Sequence, residues 1–308
     1  MQESKTSFKL NKWFVISVPL AILIAALVTL LVLDTKGSLS RTQTTQKVEN
    51  FTMLEPSISE EPGLLSQNNY LNSLDTRLKI RQLDYTVVFY ANMFKLEPNI
   101  TLNLVHTLTN NYQDEEYNTN FIIAPASQKW RYGPYSSYEA GIVEFIRELY
   151  NFPGRFGYLA SDIRVDESVT VSDQYINGHI MLTNGQTFEQ FLGHICDLYG
   201  MDKYLALAIV QHESGNMTSY LSRYKNNIGG QLVNGVGVSY PTMEAGIIAE
   251  IVLLKNLFDR CGLDKSSTND LYTFSGMYVH GTLSEPSPDW TNKVMFFYNQ
   301  NVQTNPFA

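Results

Sequence analysis

Hydrophobic positions follow three different patterns along the chain. Residues 13 to 33, WFVISVPLAILIAALVTLLVL, are an unbroken apolar run with no charge in 21 positions. At 1.5 Å per helical residue such a run spans about 31 Å, the thickness of a bilayer's hydrocarbon core. It is longer than a signal-peptide core of roughly 7–15 residues, and no small-x-small cleavage site follows it before Asp34. A single transmembrane helix over 13–33 is therefore expected. Lys5, Lys9 and Lys12 place a tail of residues 1–12 in the cytoplasm by the positive-inside rule, and the body outside it. From residue 34 to 70 no hydrophobic period is sustained, and Ser, Thr, Gln, Asn and Glu dominate. This stretch reads as a flexible stalk with an r.m.s. reach of roughly 35 Å.

Beyond residue 70 the apolar positions recur at helical spacing. Thr187-Phe-Glu-Gln190 is a capping box opening a helix through Leu198 that Gly200 can end. Leu205 to Val210 is an apolar run that leads into Gln211-His212-Glu213-Ser214-Gly215. Thr242 is an N-cap with Glu244 in the first turn, followed by Ile247, Ile251, Leu254 and Phe258, with Ile248 and Leu257 widening the face. Val169 to Leu182, with β-branched residues around Asn177-Gly178, predicts a small β element.

These patterns repeat. Tyr135 to Gly157 aligns with Tyr240 to Gly262 at an offset of 105, with ten of 23 positions identical, and the same offset lays Pro98 to Asn111 over Lys203 to Asn216. A constant offset across both blocks predicts an internal duplication. The polar positions differ: Leu108 stands opposite Glu213, Thr109 opposite Ser214, and FIIAP from Phe121 opposite Asn226-Asn227-Ile228-Gly229-Gly230. The first copy is expected to fold without catalysing.

Composition narrows the function. The chain carries 44% hydrophobic residues and a net charge of −8; residues 1–12 contribute +2, so the remainder carries −10 by subtraction. So acidic a body argues against a nucleic-acid partner. Cys196 and Cys261 are too few for a disulfide framework, although one bridge closing a loop of about 65 residues is open to them. His212-Glu213 is not a zinc-protease signature, because Asn216 stands where the second His belongs. No metal and no cofactor are expected.

Candidate chemistry gathers between residues 204 and 230. A glutamate at the end of a buried helix sits where apolar surroundings disfavour its charge, which makes Glu213 a candidate general acid. Asn226, Asn227, Gly229 and Gly230 combine two amides with two positions lacking Cβ, suited to letting backbone approach an uncharged polar ligand such as a sugar. Tyr240, Tyr278 and Trp290 are rings that either pack in the core or stack on sugars.

The ordered motifs ESG, NNIGG, Tyr240-Pro-Thr-Met-Glu-Ala-Gly246 and Pro288-Asp-Trp-Thr-Asn-Lys-Val294 resemble those of the glucosaminidase group of the lysozyme-like superfamily, over about residues 187 to 301. The resemblance implies a mainly α fold that cleaves the glycan of bacterial peptidoglycan at the cell surface, with Glu213 catalytic and the NNIGG segment bordering the groove. In that pattern a tyrosine with an active-site role often stands where Trp290 is, so the second catalytic group stays open between Asp289, Glu244 and none. The expected architecture is thus two tandem lysozyme-like helical units, a degenerate one over 71–157 and a catalytic one over 187–308. A connecting segment over 158–186 carries the small β element. The expected partners are peptidoglycan glycan strands and, through residues 13–33, the lipid bilayer. A lytic transglycosylase and a non-catalytic wall-binding scaffold are the alternatives.

Overall fold

Ten α-helices carry the fold of the described residues, which in this computed structural model are 76–113, 123, 135, 137–166, 168–171, 175–176 and 179–307. The tail, membrane helix and stalk expected over residues 1–70 lie outside them, as does FIIAP apart from Ile123. Among the described residues no helix is long and apolar enough to cross a membrane.

In chain order the elements are α1 (Thr76–Met93), α2 (Pro98–Thr109), α3 (Tyr138–Asn151), α4 (Ala160–Ile163), β1 (Tyr175–Ile176), β2 (His179–Ile180) and α5 (Phe188–Tyr199). There follow α6 (Lys203–Ser214), α7 (Tyr220–Lys225), β3 (Leu232–Val233), β4 (Val236–Gly237), α8 (Met243–Cys261), α9 (Leu271–His280) and α10 (Pro288–Thr304). The protein is mainly helical, as the apolar periods predict. The small β element between the halves is present, with Tyr175 paired to Ile180 and Ile176 to His179.

Helix boundaries follow local chemistry. Thr187 accepts from the Gln190 amide while the Gln190 side chain accepts from the Thr187 amide, the reciprocal cap that starts α5. The Asp202 carboxylate accepts from the amides of Tyr204 and Leu205 to start α6, and Thr242 accepts from Ala245 to start α8. Pro288 opens α10, where its missing N–H has no intrahelical partner to lose.

The two halves keep step at an offset of 105. Helices α2 and α6 begin at 98 and 203 and end at 109 and 214, each capped by a carboxylate, Glu97 or Asp202. Helices α3 and α8 begin at 138 and 243 behind Ser137 and Thr242, which make the same cap. Even the turn that follows the shorter pair repeats. Three successive residues adopt left-handed backbone, Asn110, Asn111 and Tyr112 in one case and Gly215, Asn216 and Met217 in the other. The Thr109 hydroxyl accepts from the Tyr112 amide at 2.9 Å, and the Ser214 hydroxyl from the Met217 amide at 2.8 Å.

All described elements belong to one unit, Ser59–Ala308, and share one hydrophobic core. Leu83, Val87, Ile142, Val143 and Ile146 from the first half join Phe191, Ile195, Ile209, Ile247 and Ile251 from the second. Each such side chain contributes about 1.5–3 kcal/mol on burial. Polar contacts cross the same boundary. Glu139 Oε1 accepts from the Tyr90 hydroxyl at 2.6 Å and lies 2.8 Å from His194 Nε2 of α5. Burial lowers the His194 pKa, but the hydrogen bond and charge of Glu139 outweigh it and the net shift is upward. The Thr242 hydroxyl donates to the Met93 carbonyl at 2.7 Å.

Glu244 lies in the first turn of α8 as expected, and its position there has a further cause. It is fully buried, and its Oε1 accepts from the amide and hydroxyl of Thr183 and from the Asn184 amide. Cys196 and Cys261 do not form the bridge that the sequence leaves open; both are free thiols. Cys196 of α5 is buried in the shared core, and burial pushes its thiol well up.

Candidate active site

Helix α6 positions the candidate acid. Leu205 to Val210 are all buried, which pins the helix in the core and brings Glu213 out in its last turn, before Gly215 closes it. Glu213 is half-buried there rather than sealed in apolar surroundings. Its Oε1 accepts from the Trp290 indole Nε1 at 2.7 Å. Oε2 has no protein donor among the described residues. Trp290, in the first turn of α10, is itself buried between Tyr278, Phe274 and His212, with ring centroids 5.3, 6.3 and 6.0 Å away. Burial lowers the His212 pKa, the Glu213 charge raises it, Lys293 lowers it again, and the net shift is downward.

The NNIGG segment leaves α7 with Asn226 in left-handed backbone. Both asparagine side chains turn inward and are fully buried. Asn226 Nδ2 donates to the carbonyls of Thr170 and Tyr240 at 3.0 and 3.1 Å. Asn227 Nδ2 donates to those of Gln231 and Val238 at 2.8 and 3.1 Å, and its Oδ1 accepts from the Gln231 amide. Both amides thus have their donors committed to shaping the loop. The glycines matter for approach. A Cβ on Gly229 would fall 1.8 Å from Glu250 Oε2, and one on Gly246 of α8 would fall 1.9 Å from the Asn226 carbonyl oxygen. Only bare backbone lets loop and helix meet this closely. Gly230 adopts φ +66° and turns the chain toward β3.

Beneath the loop lies a second carboxyl group, Glu250. Its Oε2 accepts from Gln231 Nε2 at 2.8 Å and its Oε1 from the Tyr278 hydroxyl at 3.3 Å. The Tyr240 hydroxyl donates to Gln231 Oε1 at 2.5 Å. Burial is the main cause that pushes Glu250 up to about 7; the Glu213 charge adds to it, and the donors Gln231 and Tyr278 oppose it. Burial and the Glu250 charge likewise push the hydroxyls of Tyr240 and Tyr278 upward.

Of the residues singled out from the sequence, Glu213, Trp290, Tyr278, Tyr240 and Gly229 come together around Glu250 and Gln231, while Asn226, Asn227 and Gly230 frame them. Glu250 and Gln231 escaped the sequence reading. A signal for Glu250 existed: it is the lone charge in Gly246-Ile-Ile-Ala-Glu-Ile-Val-Leu-Leu254, on the face that carries Ile247, Ile251 and Leu254. An open depression of about 540 Å³ lies at the opposite end of α6, lined by Asp202, Lys203, Tyr204 and Tyr298, and does not include Glu213. Among the described residues no group of His, Cys, Asp and Glu is arranged to hold a metal ion. No protein-family model, curated protein or solved structure matches the chain.

Proposed function

We propose that this protein is a membrane-anchored peptidoglycan glycosidase of the glucosaminidase type, in which Glu213 protonates the glycosidic oxygen. The observation that carries the reading is the Trp290–Glu213 hydrogen bond at the end of a buried helix. An indole N–H can only donate, and in a neutral carboxyl group the carbonyl oxygen is the better acceptor for it. This arrangement favours a neutral Glu213 carrying its proton on Oε2, which has no protein donor among the described residues. A general acid needs this division of labour: one oxygen fixed in place, the other carrying the proton toward the leaving group. As the bond breaks, positive charge develops on the sugar ring, and the resulting intermediate is captured by water or by a group of the substrate itself.

The in-step helices and caps of the two halves support a reading as tandem lysozyme-like units, the second catalytic and the first a platform. Leu108, partly buried against the core, occupies the position 105 residues before Glu213 and has no proton to give. Residues 13–33 would tether the body outside the membrane within reach of the wall.

The test is digestion of purified peptidoglycan by the full chain, followed by identification of the new ends. A reducing N-acetylglucosamine end marks a glucosaminidase, and a 1,6-anhydro end marks a lytic transglycosylase. A wall-binding scaffold is the competing reading, favoured by Glu213 being half-buried rather than sealed in apolar surroundings. It predicts glycan that is retained by the protein but left intact.

A further inference from the structure

Glu250 is a buried carboxyl group that pairs with no cation among the described residues. It is 0% exposed and lies on the face of α8 between the equally buried Ile247 and Leu254. Among the described residues the titratable groups facing it are Glu213 at the end of α6, Tyr278 of α9 and Tyr240 beyond β4, none of them basic. The Arg147 charge of α3 acts on Tyr240, and Arg147 is itself paired with Glu144 and Glu148. Burying a carboxyl group without a cationic partner is strongly unfavourable. The first half fills the corresponding position with Phe145, 2% exposed, which shows that an apolar side chain suits this kind of helix interface. Around Glu250 the chain instead assembles donors, Gln231 and Tyr278, and removes a Cβ at Gly229.

The contacts run in one line. Gln231 joins Tyr240 to Glu250, Glu250 holds the Tyr278 hydroxyl, the Tyr278 ring lies 5.3 Å from that of Trp290, and Trp290 donates to Glu213. We propose, resting on the glycosidase reading, that Glu250 is a positioning residue for Glu213. It fixes Tyr278 and Trp290 behind the acid and Gly229 and Gln231 beside it, and couples its own charge to that of the acid. The negative charge of Glu213 disfavours a second one at Glu250. Because burial brings Glu250 to about 7, this coupling operates near neutral pH.

The test compares the full chain with its Glu250→Gln variant, whose amide keeps the shape, offers an oxygen to Gln231 and can donate to the Tyr278 oxygen. Two quantities are followed from pH 5 to 9: the indole N–H resonance of Trp290, one of only three tryptophans in the chain, and the rate of peptidoglycan cleavage. In the wild type the resonance moves with an inflection near pH 7. In the variant that inflection is gone, cleavage at the optimum falls about tenfold, and the neutral limb of the pH profile disappears. A wild-type resonance without an inflection, the same inflection in the variant, or an unaltered pH profile overturns the proposal. If the wild type cleaves no peptidoglycan, the glycosidase reading falls and the indole titration alone decides the coupling. Should Glu250→Gln fail to fold, Tyr278→Phe serves instead. It removes a donor to the carboxylate while keeping the ring beside Trp290, so the inflection moves to higher pH, and an unmoved inflection overturns the proposal.

Discussion

Helices α2 and α6 make the same structure in two settings. Each starts behind a capping carboxylate, runs twelve residues and ends in three left-handed residues tied back by a hydroxyl. Left-handed backbone at non-glycine residues stores strain, and strain often marks function. Here it occurs both where Glu213 stands and where Leu108 stands, so it belongs to the shared fold and does not single out Glu213. Carboxyl groups sort the same way. Glu139 and Glu244 occupy matching positions and are both buried, one held by Tyr90 and His194, the other by Thr183 and Asn184. Their shared presence has a packing explanation. Glu213 and Glu250 have apolar counterparts, Leu108 and Phe145, and are linked through Trp290 and Tyr278. What the halves share builds the scaffold, and what separates them converges on one site.

The sharpest way to break this comparison is at Glu213. Glu213→Gln keeps the acceptor for Trp290 and removes the transferable proton, so cleavage of peptidoglycan is expected to fall by roughly 10²–10⁴ while the melting temperature holds. Full turnover by the folded variant would place the chemistry elsewhere. Next in size is separation of the halves. Residues 187–308 expressed alone would expose the apolar faces that pack on Val87, Ile142 and Ile146 and would lose the bonds to Glu139 and Met93. The fragment should show no cooperative melting by circular dichroism. A sharp transition at the temperature of the full chain would make the first half an independent module.

A smaller effect follows from Glu250. Burial raises its carboxyl from the ordinary 4.5 to about 7 in the folded protein, so the folded state holds this proton more tightly than the unfolded chain does. Stability is therefore lost as pH rises from about 4.5 to 7 and changes no further above that. Relative to the wild type, Glu250→Gln should gain stability across this window, by at most on the order of 3 kcal/mol. Parallel denaturant midpoints for the two proteins at pH 5 and pH 8 would refute it. The smallest expected change is in the other half. Leu108→Glu restores a carboxyl at the matching position but not the tryptophan donor or the buried partner. Paired with Glu213→Gln, it should recover no activity, and any recovery in a digestion assay would show that the first half retains a working groove.

The sequence by itself determined the features whose causes lie within a few residues. Helix α5 was legible from Thr187, Gln190 and Gly200 because a capping box closes over three residues. Likewise α8 could be read from Thr242 and the spacing of Ile247, Ile251, Leu254 and Phe258. The offset of 105 and the place of Glu213 at the end of an apolar helix were also open to inspection. The tertiary structure decided the rest. Trp290 and Glu213 are 77 residues apart, and no local rule says that an indole will serve the carboxylate. Asn226 and Asn227 looked like sugar ligands because an amide's composition carries no direction; the carbonyls of Thr170, Tyr240, Gln231 and Val238, brought close by folding, turned both inward. Glu250 was hidden for the same reason. A glutamate on an apolar helix face reads as an interruption until Gly229, Gln231 and Tyr278 close around it, and only that enclosure removes the water that would have left it an ordinary carboxylate.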